Sequence, residues 1–250
     1  VGERGEYSAP RLSPDSQRFA VTAGNPSPDI WVFDLDHNAR TRLTFSSAVT
    51  SAAWSPDGSR MAYASNRQNH QCAIYEKASN GSGNDKLLLE ADGLQTVTDW
   101  SPDGRWIAYD HAEPGSSGIW ILPVDGEREP YPFVQAQWLV SGGQFSPDGR
   151  WVAYVSRESG SDEVYVVPFP GPGGKWQVST VGGHSPRWRH DGKEVFFLSI
   201  DHATLMAADI KAQGSTIEVG TPRPLFQVYA TLGPRVGVFE YDVSPDGQRF

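Results

Sequence analysis

The chain has 250 residues, 30 acidic against 21 basic side chains, and a net charge of −9. That balance argues against nucleic acid and anionic membrane surfaces as partners, and no basic stripe offsets it. No apolar run reaches the eighteen or more residues of a membrane span, so no membrane insertion is expected within this sequence.

The first recognisable element is a turn, Ser13-Pro14-Asp15-Ser16, preceded by Leu12. Strands are predicted after it at 18–21 and 30–33, with a more polar one at 41–44. The pattern then restarts. Trp54 precedes Ser55-Pro56-Asp57-Gly58, with strands at 61–63, 73–75 and 86–89. Trp100 precedes Ser101-Pro102-Asp103-Gly104, with strands at 106–109, 119–122 and 131–134. Phe145 precedes Ser146-Pro147-Asp148-Gly149, with strands at 151–154, 164–167 and 175–178. Trp188 precedes a degenerate copy, Arg189-His190-Asp191-Gly192, with strands at 195–197 and 205–207. Val243 precedes the last turn, Ser244-Pro245-Asp246-Gly247, three residues before Phe250.

Each copy is a hairpin turn. Proline presets φ near −65°, aspartate caps its own turn, and glycine takes the positive φ that closes it. The turn aspartates are separated by 42, 46, 45, 43 and 55 residues. Roughly 40–45 residues is one propeller blade of four short strands. The expected fold is therefore all-β: a single six-bladed β-propeller with the last blade incomplete in this chain. Blades are expected at about 8–45, 46–92, 93–136, 137–180, 181–230, and 237–250 with 1–7. Trp54, Trp100, Phe145 and Trp188 are expected to be buried between blades. The short sixth blade predicts a fragment of a longer protein, an open edge on strand 239–243, and self-association through it.

The run from Trp100 through Ser101-Pro102-Asp103-Gly104-Arg105 to Ala108-Tyr109, then Ile119-Trp120-Ile121-Leu122, resembles the TolB-type, WD-repeat-like β-propellers over nearly the whole chain. More narrowly, Thr41-Arg42-Leu43-Thr44-Phe45 and the run from Val166 to Ser179 resemble propellers C-terminal to bacterial serine/threonine kinase domains. Such propellers also occur alone and beside peptidase domains. The resemblance implies a bacterial protein in a periplasmic or extracellular setting. The single Cys72 rules out an internal disulfide, which suits that setting and the cytoplasm alike.

Motifs for chemistry are absent. There is no Gly-x-Ser-x-Gly elbow, no kinase signature and no His-x-x-x-His or His-Glu-x-x-His spacing, so no catalytic residue, metal or cofactor is predicted. Two candidate ligand-binding sets remain. The residues just before the apolar anchors (Arg11, Asp99, Gln144, Arg187 and Asp242) alternate away from the packing face and are expected to face the central channel. They are either a mutually satisfied polar lining or a grip for a peptide terminus or small polar ligand. The second set, Arg67, His70, His111, Arg157 and His184, belongs to loops on the face opposite the turns. The leading functional expectation is a non-catalytic sensor or scaffold module holding a protein, peptide or small molecule at the channel mouth. The alternatives are a propeller hydrolase or lyase using residues such as Asp110, His111 and His184, or the substrate-gating propeller of a serine peptidase.

Overall fold

The computed structural model describes residues 7–24, 27–45, 47–68, 71–126, 129–228 and 240–250, with the side chains at 67, 68 and 71 outside that description. The described residues hold twenty-one strands and no helix. Blade 1 comprises β1 (Tyr7–Leu12), β2 (Arg18–Ala23), β3 (Asp29–Asp34) and β4 (Ala39–Arg42). Blade 2 comprises β5 (Val49–Trp54), β6 (Arg60–Gln68), β7 (Gln71–Ala78) and β8 (Lys86–Glu90). Blade 3 comprises β9 (Leu94–Trp100), β10 (Trp106–Glu113), β11 (Ser116–Pro123) and β12 (Tyr131–Ala136). Blade 4 comprises β13 (Val140–Phe145), β14 (Trp151–Ser156), β15 (Glu163–Pro168) and β16 (Trp176–Gln177). Blade 5 comprises β17 (His184–Trp188), β18 (Glu194–Leu198), β19 (Thr204–Gln213), β20 (Thr216–Val219) and β21 (Arg223–Gln227). Each sheet is an antiparallel meander in chain order; in blade 5 the first half of β19 pairs with β21 and its second half with β20.

Alternation along each strand sends side chains to both faces of its sheet, and the faces between consecutive blades are buried. Ile30, Val32 and Leu43 of blade 1 pack on Trp54, Tyr63 and Tyr75 of blade 2. Ile74 and Leu88 of blade 2 meet Val97, Trp100 and Ile107 of blade 3. The same handover joins blades 3 and 4 through Ile121 and Phe145, and blades 4 and 5 through Val166 and Phe197. Trp54, Trp100 and Phe145 are buried as expected, whereas Trp188 is half-buried.

The turns are alike down to single hydrogen bonds. In the second, the Ser55 N–H donates to Arg60 O (2.9 Å) and Gly58 N–H donates to Ser55 O (2.8 Å). Asp57 Oδ1 accepts the Ser55 hydroxyl (2.6 Å) and the Ser59 N–H (3.0 Å). Those donors, the Ser55 hydroxyl foremost, hold the Asp57 carboxyl down at about 2. The turn aspartates are thus structural. Where glycine is replaced by Ser16, the backbone still adopts a φ of 59°.

The expectation of six blades is corrected: the described residues form five sheets. The sixth turn does form, with Ser244 N–H donating to Arg249 O (3.0 Å) and Gly247 N–H to Ser244 O (2.8 Å). No strand flanks it, and residues 240–243, expected to form a strand with an open edge, form none; residue 239 lies outside the described residues. The physical reason is that a turn closes on local hydrogen bonds alone, whereas a ladder needs neighbouring strands to pair with. Instead, residues 240–244 act as a clasp between blades 5 and 1. Tyr241 and Val243 pack on Phe196, Leu198 and Leu205 of blade 5, and Leu12 N–H of blade 1 donates to Asp242 Oδ2 (2.6 Å). Among the described residues, no helix is long and apolar enough to cross a membrane.

Candidate functional site

The innermost strands of all five blades carry a register shift, between Ser8 and Arg11, Val49 and Ser51, Val97 and Asp99, Ser141 and Gln144, and His184 and Arg187. A bulge adds a residue to one strand and re-aims the side chain after it. In blades 1, 4 and 5 the bulge contains a positive φ two residues before the channel residue: Ala9 (50°), Gly142 (72°) and Ser185 (54°). Arg11, Gln144 and Arg187 are thereby turned out of the sheets toward one another.

These side chains and their neighbours form a polar ring that passes from blade to blade. Arg11 donates from Nε to Ala52 O (3.1 Å) and from Nη2 to Thr98 O (2.8 Å). Gln144 Nε2 donates to the same Thr98 carbonyl (2.6 Å). Thr98 is the extra residue of the β9 bulge, which frees its carbonyl from the ladder. Gln144 Oε1 accepts from Arg187 Nη1, and Arg187 Nε lies 3.4 Å from Asp242 Oδ1. Asp99 Oδ2 accepts the Phe145 N–H (2.8 Å) of the next blade, just as Asp242 accepts that of Leu12. The structure therefore brings all five predicted channel residues into one place. Withdrawal from water, with a smaller contribution from Asp242, pushes the Asp99 carboxyl up to about 7. Withdrawal from water also lowers the pKa of Arg187, against the pull of Asp242.

Above this ring the turns form a funnel with a cavity volume of about 420 Å³. Its rim is made by Pro14, Pro56, Pro102, Pro147 and Pro245, with His190 standing where the degenerate fifth turn lacks proline. Beneath the rim lie the apolar anchors, among them Trp54, Trp100 and Trp188, and beneath them the polar ring. Two indoles fasten wall to floor: Trp54 Nε1 donates to Arg11 O (3.0 Å) and Trp188 Nε1 to Gln144 O (3.1 Å). The funnel opens on the turn face.

The residues predicted on the opposite face do not converge. His111 Nε2 pairs with Glu113 (2.9 Å) and its ring packs edge-on against Trp120. Arg157 is held by both carboxylate oxygens of Asp162 (2.7 and 3.0 Å). The His184 ring lies against that of His202, tilted by 39° with centroids 3.6 Å apart, and burial followed by that neighbour lowers its pKa to about 4. The Arg67 side chain and His70 lie outside the described residues. Asp110 turns away from this set. Both its oxygens accept the Gly142 N–H (2.9 and 3.0 Å), which pins the β13 bulge, and burial pushes its carboxyl up to about 8. No three His, Cys, Asp or Glu among the described residues are placed to hold a metal ion.

Sequence reasoning missed several parts of the site. Tyr241 was not singled out, yet its hydroxyl donates to Ser185 O (2.9 Å) and its carbonyl lies 3.4 Å from the Arg187 guanidinium. The carbonyls of Ala52 and Thr98 carry no side-chain signal. The paired glycines at 142 and 143, inside strand β13, were a legible sign of the bulge.

The family model for the TolB beta propeller domain (PD40) matches residues 1–130, just over half of the chain. The chain belongs to that family. An uncharacterized protein of Agrobacterium fabrum, Atu1656, is 28% identical over 117 residues, 46% of this chain and 39% of that protein. The chain thus spans well under half the length of that relative. Among solved structures, a putative TolB from Agrobacterium tumefaciens superposes with a TM-score of 0.76 at 21% identity, covering 98% of this chain and 88% of that one. TolB from Acinetobacter baumannii gives 0.65 at 19% identity, covering 98% of this chain and 62% of that one. An oligogalacturonate lyase in complex with manganese gives 0.63 at 14% identity, covering 87% and 65%. Likeness at these identities carries the propeller fold alone, which hosts both binding proteins and enzymes of the TolB-like architecture.

Proposed function

We propose that this TolB-family propeller is a non-catalytic binding module whose ligand site is the funnel on the turn face. The ligand is the end of a protein or peptide chain, or a small polar molecule of similar chemistry. The observation that carries this reading is the layering of the funnel. An apolar rim of prolines and tryptophans stands over a floor that presents two guanidinium groups, an amide and two carboxylates. Concave sites with apolar walls and a few convergent polar groups are the usual form of ligand sites. A chain terminus fits that layering, with apolar side chains on the walls and its charged end on the floor. The floor is held by hydrogen bonds to neighbouring blades, so little ordering is required when a ligand arrives.

The test uses short peptides in four forms, with free or blocked amino and carboxyl ends, titrated against the tryptophan fluorescence of the funnel walls. The expected result is saturable binding that needs one free terminus and weakens in a His190→Glu variant at the exposed rim. An Arg42→Glu variant, altered on the outer strand of blade 1, is expected to bind like the parent chain. Equal binding of all four peptide forms, or equal effects of the two variants, would remove the basis for the proposal.

A further inference from the structure

The face opposite the funnel carries a feature that the polar ring does not explain. Connections between blades run across this face, and four successive ones each expose a large apolar side chain. Phe45 stands between β4 and β5 (65% exposed), Leu94 opens β9 (52%), Trp138 lies between β12 and β13 (47%) and Val181 between β16 and β17 (78%). Ile200, in the β18–β19 turn on the same face, is 45% exposed and adjoins Val181: a Cβ at Gly182 would lie 2.7 Å from the Ile200 Cβ. Single exposed apolar residues are ordinary on any surface. Recurrence at the same junction, on the same face, in consecutive blades is not. Two of these side chains are held in place: Trp138 Nε1 donates to the Ser156 hydroxyl (3.1 Å), and the Arg42 guanidinium lies 5.0 Å from the Phe45 ring centre.

Charge on this face identifies the occupant. Its described cations are already matched: Arg42 with Asp29 (2.6 Å), Arg157 with Asp162 (2.7 Å), and Lys175 with Glu158. The exposed carboxylates of Glu90, Asp92 and Asp201 have no ion pair among the described residues. An apolar crown set among carboxylates that have no ion pair among the described residues is complementary to a surface that is both apolar and positively charged. It is repelled by an anionic bilayer. We infer that this face is a docking surface for a cationic amphipathic segment of another protein, with the crown residues as its apolar anchors. The site is independent of the funnel and leaves it open.

The probe is a short amphipathic peptide of leucine and lysine, with a leucine–glutamate peptide and a serine–lysine peptide as controls. The chain is expected to bind the leucine–lysine peptide and neither control. A Phe45→Ser, Leu94→Ser, Val181→Ser triple variant is expected to bind at least about tenfold more weakly, as for loss of interface anchors. A Leu35→Ser, Leu87→Ser variant, altered at exposed positions away from this face, is expected to bind as the parent does. If the triple variant melts early, the single change at Val181, the most exposed crown residue, carries the comparison. Failure to bind the leucine–lysine peptide would overturn the inference. So would equal affinity for either control peptide, or unchanged affinity in the crown variant. Sedimentation showing a dimer that the crown changes dissolve would assign the face to a second copy instead. Flotation with neutral lipid vesicles, lost in the crown variant, would assign it to a membrane; either result would also overturn the inference.

Discussion

Replacing Trp54 with alanine removes a side chain that is 7% exposed and packed between blades 1 and 2 beside Val32, Tyr63 and Tyr75. Three losses combine. The first is the core volume, which for a large aromatic costs roughly 3–5 kcal/mol. The second is the indole donor to Arg11 O (3.0 Å), which ties blade 2 to the floor of the funnel in blade 1. The third is the ring face on which the Arg18 guanidinium rests, 4.9 Å from its centre. Because the second and third contacts are made by the same side chain and overlap with the first, the total is expected to stay near 4 to 5 kcal/mol. For a domain of this size each kcal/mol lowers the melting temperature by about 2–4 °C, so the expected drop is roughly 8–20 °C. Differential scanning calorimetry measures it directly. Trp188→Ala provides the internal comparison, since Trp188 is only half-buried between blades 4 and 5, and a smaller drop is expected there. A Trp54→Ala chain melting within two or so degrees of the parent, or a larger loss from Trp188→Ala, would refute the packing argument.

Three further outcomes follow from the same geometry. Asp110 has its folded pKa raised to about 8 by burial, against an ordinary carboxylate near 4 when unfolded. Its contribution to stability is therefore complete below about pH 4 and is lost as pH rises to about 8. Melting temperatures followed across that interval should fall for the parent chain and fall less for Asp110→Asn, which keeps an acceptor for the Gly142 N–H; identical pH profiles would contradict this. Gly142→Ala places a Cβ on a residue with φ of 72° and should cost about 1–2 kcal/mol while misdirecting Gln144, read as a lower urea midpoint; an unchanged midpoint would show that the bulge is not needed. Asp242→Ala removes the acceptor of the Leu12 N–H and the carboxylate beside Arg187, so hydrogen exchange at Leu12 should accelerate while the centre of blade 3 stays protected.

The repeat was legible because its parts are local. A turn such as Ser55 to Gly58 is closed by hydrogen bonds spanning no more than five residues, so its sequence reports its geometry. Strand alternation then placed Trp54, Trp100 and Phe145 between blades, and with the bulges it brought Arg11, Asp99, Gln144 and Arg187 together, where Asp242 joins them from the clasp, outside any strand. The number of sheets was less legible, because turn copies count hairpins and not ladders. The turn at Ser244 repeats the local bonds of its predecessors without the flanking strands that make a blade. The funnel was only half visible. Its side chains could be read, but the backbone carbonyls of Ala52 and Thr98 carry no side-chain signal, and that of Thr98 is freed by a bulge, which follows from pairing across strands. The loop-face histidines and arginines were singled out for polarity and variable loops. The structure instead engages His111, Arg157 and His184 locally, and the feature that recurs on that face is apolar.

The central claim is that ligand binds in the funnel on the turn face, and indole N–H resonances locate it most directly. Trp54 and Trp188 sit in the funnel wall with their indoles bonded to the floor, while Trp138 lies on the opposite face bonded to Ser156. Titration with a peptide bearing a free terminus is predicted to shift the Trp54 and Trp188 indole signals in parallel with binding and to leave that of Trp138 in place. A shift confined to Trp138, with Trp54 and Trp188 unmoved at saturation, would contradict the account.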